Sequence, residues 1–288
     1  MNDRAQVDVV EQRLGLGCAR LGSVLGRDRA DAFELIQAAF DRGIRFFDTA
    51  NIYGQGESER ILGTALHDRR KRVTIVTKAG QYFPAWMRAT KPIKRVLTPF
   101  IRRSGAARNV VSKVRQAQLP QDFSEHFLRA SIEASLRRLK TDYADIALLH
   151  SPPPDIIKNG AALGALERVR DAGKAIRIGV SCEDVDSGLL ALADSRVEAV
   201  ELPLWPATET TGRFLDRAGR QGVFVIGRGL MSAALPASND DRWTAARTAL
   251  ASSLRRREIS CVLIGTTRRH HLDQVLDLVQ STENTPCS

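Results

Sequence analysis

Short apolar segments alternate with longer segments of helical periodicity along most of this 288-residue chain. The strand-like segments are Arg13–Gly17, Ile44–Phe47, Val73–Thr77, Ile146–Leu149, Ile176–Val180, Ala199–Leu202, Val223–Ile226 and Cys261–Ile264. The helical segments are Ala30–Asp41, Glu57–His67, Ser124–Leu139, Ala161–Ala172, Val185–Ala193, Thr210–Gln221, Arg242–Arg257 and His271–Gln280. Strands that alternate with helices favour a parallel sheet with crossover helices, and eight such units close into a barrel. The sequence therefore predicts an α/β fold, a (β/α)8 TIM barrel.

A glycine pair near the start of the chain raises the alternative of a dinucleotide-binding fold. Gly15 and Gly17 follow a strand-like segment and precede a helix, as in the motif G-x-G-x-x-G. The third glycine of that motif would stand at Arg20, whereas Gly22 comes two residues late. We therefore interpret these glycines as the end of the first barrel strand.

Length and composition predict a single domain over residues 1–288. Hydrophobic residues make up 43% of the chain, and no apolar run approaches the roughly 20 residues that span a bilayer. The first residues lack the basic start and apolar middle of a signal peptide, so we expect a cytoplasmic protein. The cysteines have neither metal-ligand spacing nor the density of a disulfide scaffold, which predicts reduced thiols and no metal site. They are Cys18, Cys182, Cys261 and Cys287.

The formal net charge of +10 is concentrated in one segment after the third predicted strand. Nine of the 43 basic residues lie between Gln81 and Gln121 without any acidic residue, and the other 34 nearly balance the 33 acidic residues. The sequence thus predicts an inserted basic loop over residues 81–121, and it does not favour nucleic-acid binding. The loop is interpreted as a lid helix with a solvated basic face, or as a surface that captures a phosphorylated, nucleotide-linked or carrier-borne substrate. Membrane-surface attachment is the least favoured alternative.

Four polar residues stand at or just after the ends of predicted strands. Asp48 and Tyr53 follow the second strand, Lys78 follows the third, and His150 ends the fourth. Because the carboxyl ends of all strands in a parallel barrel open on one face, these residues are expected to converge there. An acid, a phenol, an amine and an imidazole in one place predict a proton-transfer site.

The motifs around these residues resemble those of the aldo-keto reductase family. The similar segments are Gly43–Glu59, which contains Asp48 and Tyr53, Thr77-Lys78, Leu148–Pro152 around His150, and Gly173–Ser181. Four motifs in the same order, spread from about Arg13 to Val279, carry the resemblance. It implies an NADPH-dependent oxidoreductase that interconverts an aldehyde or ketone with an alcohol.

The resemblance also implies roles for the four residues, called the tetrad below. Hydride delivery to a carbonyl carbon leaves negative charge on oxygen, which needs a proton at that moment. Tyr53 would supply it, with Lys78 lowering the pKa of the phenol from its ordinary value of about 10. Asp48 would fix Lys78, and His150 would orient the substrate oxygen.

Residues after the later strands correspond to the cofactor site of the family. Ser181 is kept for the nicotinamide carboxamide, but Cys182 stands where the family has Asn, Glu201 where it has Gln, and Arg228 where a side chain stacks on the ring. A basic segment opens the last helix, where main-chain N–H groups and Arg268 or Arg269 favour a 2′-phosphate and hence NADPH over NADH. The residues expected to bind the cofactor there are Gly265, Thr266, Arg268, His271 and Gln274.

Two alternatives to carbonyl reduction follow from the same residues. One is oxidation of a sugar or other alcohol as the main direction. The other is a nicotinamide-binding regulatory subunit with vestigial catalysis, suggested by Cys182, Glu201 and Val275, the last of which replaces the second adenine contact. The complete tetrad argues against the regulatory subunit. The expected substrate is a small carbonyl or sugar-like molecule, with an anionic or carrier-borne one as the alternative.

Overall fold

Eight parallel strands form a closed barrel in the computed structural model, which describes residues 13–22, 28–84, 119–230 and 239–283. Each strand pairs with its neighbours in sequence, and β1 closes the barrel against β8 with Leu14 opposite Val262. The strands are β1 (Leu14–Gly17), β2 (Phe46–Asp48), β3 (Thr74–Ala79), β4 (Ala144–His150), β5 (Ala175–Ser181), β6 (Ala199–Pro203), β7 (Phe224–Arg228) and β8 (Ile259–Ile264). The predicted (β/α)8 barrel is confirmed.

Helices on the outside of the barrel cover the strands. They are α1 (Arg29–Asp41), α2 (Glu57–Ala65), α3 (Glu125–Leu139), α4 (Pro154–Asn159), α5 (Ala161–Asp171), α6 (Val185–Ala191), α7 (Glu209–Gln221), α8 (Asn239–Arg255) and α9 (Arg269–Glu283). Side-chain caps start several of them: Asp28 accepts from Asp31 N in α1, and Ser124 accepts from Phe127 N in α3. At its other end α7 stops at Gly222, whose φ of 67° lies in the left-handed region that glycine adopts without strain. No helix in these described ranges is long and apolar enough to cross a membrane.

The barrel interior and the layer between strands and helices form two separate apolar clusters. The interior cluster consists of Phe46, Val76, Ile146, Leu148, Ala199, Ile226, Cys261 and Leu263. Gly15 faces this cluster, and a Cβ there would lie 2.8 Å from Phe46 Cδ1 and 2.9 Å from Leu263 Cδ2. The interior is therefore a filled core rather than a channel, so the chemistry must take place above it, at the carboxyl ends of the strands.

The basic segment falls largely outside the described residues. Its nine cations lie between residues 85 and 118. The described ends meet, because Gln81 and Gln121 form an antiparallel bridge and Tyr82 N donates to Pro120 O over 3.0 Å. This bridge follows β3, where the insertion was predicted to begin and end. The lid helix and the capture surface remain predictions.

Candidate active site

The turn after β2 places Tyr53 at the carboxyl end of the barrel. Residues Tyr53–Gly56 form a short 3-10 turn in which Gly54 has a φ of 58° and Gly56 a φ of 79°. Ser58 ties this turn to the barrel, because its hydroxyl lies 3.0 Å from Thr49 Oγ1 and donates to Cys18 O over 3.0 Å. The glycines supply left-handed backbone at little steric cost, which lets the chain reverse and bring the phenol back over the strand ends.

Lys78 is the centre of the site. Its side chain is fully buried in β3, and its ammonium donates to Asp48 Oδ1 at the end of β2. The same Nζ lies 3.4 Å from Tyr53 OH and 3.3 Å from Thr49 O. The structure therefore brings together the phenol, the amine and the carboxylate that the sequence predicted to converge.

His150 ends β4 and completes the tetrad. Its ring packs edge-on against the Tyr53 ring, with centroids 5.8 Å apart and an interplanar angle of 84°. Among the described residues no side chain or backbone group bonds to its buried Nδ1. Burial, followed by the positive charges of Lys78 and Arg228, holds the pKa of His150 well below its usual value of 6.5. The imidazole is therefore neutral at ordinary pH.

Glu201 is a second carboxylate in this site. It lies in β6 with 1% of its surface exposed, and its Oε2 is 3.1 Å from Lys78 Nζ. Its Oε1 accepts from Ser181 Oγ over 3.3 Å and lies 3.5 Å from Arg228 Nε. The sequence predicted Glu201 beside the nicotinamide carboxamide and did not anticipate its ion pair with Lys78.

The surroundings of the buried charges shift their pKa values. Burial, followed by the charge of Glu201, raises the pKa of Asp48 to about 8, although Lys78 opposes the shift. For Lys78 burial favours the neutral amine, but the charges of Asp48, Glu201 and Tyr53 outweigh it and raise its pKa. The ammonium thus remains charged throughout the ordinary pH range.

The predicted lowering of the Tyr53 pKa is wrong in its net direction. Burial raises the pKa of Tyr53 above its ordinary value, and the charges of Asp48 and Glu201 raise it further. Lys78 does lower it, as expected, but only in part. The net direction depends on desolvation and on the second carboxylate, neither of which is evident from the sequence.

The residues expected to hold a nicotinamide lie around Arg228. Arg228 ends β7, donates from Nη2 to Cys182 O over 2.7 Å, and lies near Glu183 as well as Glu201. Cys182 packs its side chain into the apolar core, so it offers no thiol to a ligand. Ser181 and Glu201 remain: the Ser181 hydroxyl donates to Glu201 Oε1, and Glu201 Oε2 is buried beside the Lys78 ammonium, 3.1 Å away. To hold a carboxamide, the Ser181 hydroxyl would turn from Glu201 Oε1 to donate to the carboxamide oxygen, and Oε1 would then accept from the carboxamide nitrogen.

The segment between β8 and α9 is open and basic. Arg268 N donates to Thr266 Oγ1 over 3.1 Å, and both Arg268 and Arg269 are exposed. Arg269 lies 3.9 Å from Asp273 at its nearest, whereas no carboxylate of the described chain pairs with Arg268. This geometry at the start of a 15-residue helix could hold a phosphate.

The other residues predicted here divide between surface and core. Gly265 is exposed, and a Cβ there would meet nothing within 4 Å. Gln274 is exposed and the ring of His271 packs against His270 at 4.1 Å between centroids, whereas Val275 is a core residue.

Two supporting interactions were not recognised from the sequence. Glu59 of α2 is fully buried, accepts from Thr77 Oγ1 over 2.8 Å, and binds Arg138 of α3 over 2.5 Å. Thr77 precedes Lys78, so this network anchors the lysine strand to two helices. Gln121 Nε2 donates to Ser151 O over 2.9 Å, directly after His150. Glu59 is the last residue of the segment Gly43–Glu59 that resembles the family, and this position was the sequence signal for its role.

The comparison with known proteins identifies the class. A sequence profile of the Aldo/keto reductase family matches residues 13–202. The chain belongs to the aldo/keto reductase family, a family of oxidoreductases, as its motifs suggested. D-threo-aldose 1-dehydrogenase from a Pseudomonas species is 33% identical over 238 residues, which are 77% of this chain and 68% of that protein. Aldo-keto reductase AMT2 from Alternaria alternata is 32% identical over 170 residues, 51% of this chain but only 40% of that protein.

Solved structures share the fold. The holo form of aldo-keto reductase AKR11C1 from Bacillus halodurans has a TM-score of 0.72 with 23% identity, and the match covers 96% of this chain and 88% of that one. An aldo/keto reductase from Klebsiella pneumoniae in complex with NADP and acetate has a TM-score of 0.64 with 19% identity, covering 96% and 87%. At these identities the likeness supports the barrel alone.

Proposed function

We propose that this protein is an NADPH-dependent reductase of small aldehydes or ketones, with Tyr53 as the general acid. The observation that carries the proposal is the contact of Lys78 Nζ with both Tyr53 OH and Asp48 at the carboxyl end of the barrel. A phenol beside a buried ammonium can release its proton to a developing alkoxide, because the positive charge stabilises the phenolate that remains.

The three other tetrad residues support this proton transfer. Asp48 fixes Lys78 by accepting a hydrogen bond from its ammonium, and Lys78 stays charged because of the carboxylates around it. A neutral His150 can donate one N–H to the carbonyl oxygen and hold it near the Tyr53 hydroxyl. The raised pKa of Tyr53 keeps the phenol protonated at neutral pH, which is the form that a reductase needs before hydride arrives.

For the cofactor we propose NADPH, which when bound supplies the hydride. Ser181 and Glu201 would hold its carboxamide, and the partly exposed Arg228 guanidinium would stack on its ring. Arg268 and Arg269 at the start of α9 would bind the 2′-phosphate by charge-assisted hydrogen bonds. These donors discriminate against NADH, which lacks that group.

A sugar-like substrate is the finer proposal within this class. The name of the Pseudomonas relative, D-threo-aldose 1-dehydrogenase, supports sugars and also supports oxidation as a second candidate direction. An anionic or carrier-borne substrate remains an alternative because of the basic segment. A panel of neutral sugars, simple aldehydes and their phosphorylated counterparts, assayed with NADPH and with NADP⁺, distinguishes these substrates and directions.

Substitution of Tyr53 by Phe tests the general acid. We expect Tyr53→Phe to lower kcat by about 10²–10⁴, the usual contribution of a positioned acid, with NADPH affinity nearly unchanged. Tyr143→Phe is the matched control, because Tyr143 directly precedes β4 at the opposite end of the barrel from His150 and stacks under Arg70. NADPH consumption followed by absorbance, with cofactor binding followed by fluorescence, gives both quantities.

The same experiment separates the enzyme from a regulatory subunit. If wild type and Tyr53→Phe both bind the cofactor but turn over no substrate of the panel, the result supports a regulatory subunit with vestigial catalysis. Normal turnover by Tyr53→Phe would remove Tyr53 from its proposed role.

A further inference from the structure

Lys78 lies between two buried carboxylates rather than beside one. Asp48 and Glu201 are 3% and 1% exposed, and they approach the ammonium from β2 and β6, which are separated across the barrel. Since Lys78 alone activates the phenol by its positive charge, a second negative charge on it weakens that activation. An amide in place of Glu201 would leave the lysine with one ionic partner.

Arg228 keeps Glu201 in this arrangement. Its Nε lies 3.5 Å from Glu201 Oε1, while its Nη2 is bound to Cys182 O. Once Asp48 is ionised, above its pKa of about 8, a row formed by Asp48, Lys78, Glu201 and Arg228 carries alternating charges across the site. At lower pH the protonated Asp48 carboxyl is hydrogen-bonded to Glu201. The second cation offsets the desolvation of the second carboxylate, because a buried charge without a partner is strongly unfavourable.

We propose that Glu201 is a positioning residue that shares the Lys78 ammonium with Asp48 and thereby keeps Tyr53 a phenol to higher pH. The inference rests on the proposed function, in which Tyr53 is the general acid. Its consequence is a site adapted to reduction in neutral and alkaline conditions and slow to oxidise alcohols there, because oxidation begins from the phenolate.

Other titratable groups near the site do not supply this effect. His150 is neutral, and burial raises the pKa values of the Cys18 and Cys261 thiols, so they remain protonated. The charges that act on Tyr53 are therefore those of Lys78, Asp48 and Glu201, while Arg228 acts through its contact with Glu201. They come from β2, β3, β6 and β7: Asp48, Lys78, Glu201 and Arg228.

Substitution of Glu201 by Gln tests the proposal, because it removes the charge and keeps the shape. We expect the alkaline limb of kcat for reduction and the acidic limb of kcat for oxidation both to move to lower pH by about one unit or more. Both limbs report the same phenol, so they should move together. KM for the cofactor is measured alongside, because a change confined to KM indicates carboxamide contact alone.

Glu183→Gln is the matched control. Glu183 is 68% exposed and lies 3.5 Å from Arg228 Nη2, so its substitution removes a carboxylate from the same arginine without facing Lys78. Its pH limbs should coincide with those of wild type. Limbs that stay in place in Glu201→Gln, or that move equally in Glu183→Gln, overturn the proposal.

A second measurement does not depend on turnover. The raised pKa of Asp48 means that the folded protein holds a proton more tightly than the unfolded chain, so stability falls as pH rises from about 4 through about 8. Urea unfolding should show a smaller loss over this window in Glu201→Gln than in wild type or Glu183→Gln. If no carbonyl is reduced but this difference appears, the proposed function fails and the charge sharing stands. Identical pH dependence in all three proteins refutes the sharing.

Discussion

Burial decides the charge of His150, and this has a kinetic consequence. Its pKa lies well below 6.5 because the ring is desolvated and faces the positive charges of Lys78 and Arg228. A neutral imidazole can orient a carbonyl oxygen without gaining or losing a proton between pH 6 and 8. The role assigned to His150 is therefore independent of pH in the range where histidine usually titrates.

We predict that the pH profile of kcat/KM shows no inflection near pH 6.5 from His150. Any inflection seen there in wild type should persist in His150→Asn. His150→Leu should lower kcat/KM by about 10-fold to 100-fold, because one hydrogen bond to the reacting oxygen is lost. His150→Asn, which keeps a donor, should lose less. Steady-state kinetics of the three proteins checks this, and equal losses in Asn and Leu variants would assign His150 a packing role.

At the level of elements, the start of α9 is where cofactor selectivity should reside. Arg268 and Arg269 are exposed in a segment that precedes and opens a helix, and Arg268 has no ionic partner in the described chain. We predict that NADPH binds at least about tenfold more tightly than NADH, because each charge-assisted contact contributes roughly 1.5–3 kcal/mol. In the double variant Arg268→Ala, Arg269→Ala the two dissociation constants should converge through weaker NADPH binding.

Fluorescence titration of both cofactors measures these constants. The double variant Arg255→Ala, Arg257→Ala is the control, because it removes the same amount of charge. These two exposed cations lie at the end of α8 and just before β8. A selectivity that survives the α9 substitutions would place the phosphate elsewhere.

Elements with strong periodicity were predictable, and contacts across the barrel were not. All eight strands were found, since apolar runs of four or more residues between helices leave few alternatives. Helix α4 was missed because six residues, Pro154–Asn159, are too few to display a helical period. The tetrad was predicted because strand ends converge, whereas the Lys78–Glu201 contact joins β3 to β6 and depends on which side chains reach across the closed barrel.

At the level of the whole molecule, the excess positive charge is attached beside the tetrad. Both ends of the basic segment are tied to loops of the site: Asn51 Nδ2 donates to Gln81 O over 2.9 Å, and Gln121 Nε2 donates to Ser151 O. Asn51 lies between Asp48 and Tyr53 in sequence, and Ser151 follows His150. The rest of the chain is nearly neutral in formal charge, so we expect an approaching anion to be attracted mainly to the basic segment.

We predict that neutralisation of Lys94, Arg95, Arg102 and Arg103 to Gln raises KM for a phosphorylated aldehyde and flattens its salt dependence. The kcat for a small neutral aldehyde should stay unchanged, because steering acts on encounter and not on the chemical step. The control carries four neutralised cations that precede strands at the opposite end of the barrel: Lys71, Lys174, Arg220 and Arg257.

Kinetics at low and high ionic strength on both quadruple variants decides between recruitment and packing. Recruitment requires that KM for the anionic substrate respond to salt in wild type and in the control but not in the basic-segment variant. Val96, Leu97 and Phe100 are apolar residues of the basic segment that the predicted lid helix would pack on the barrel. If charge removal has no effect while polar substitution of these three residues impairs every substrate alike, the segment acts as a packed lid. In that case the charge of +10 would serve no role in substrate capture.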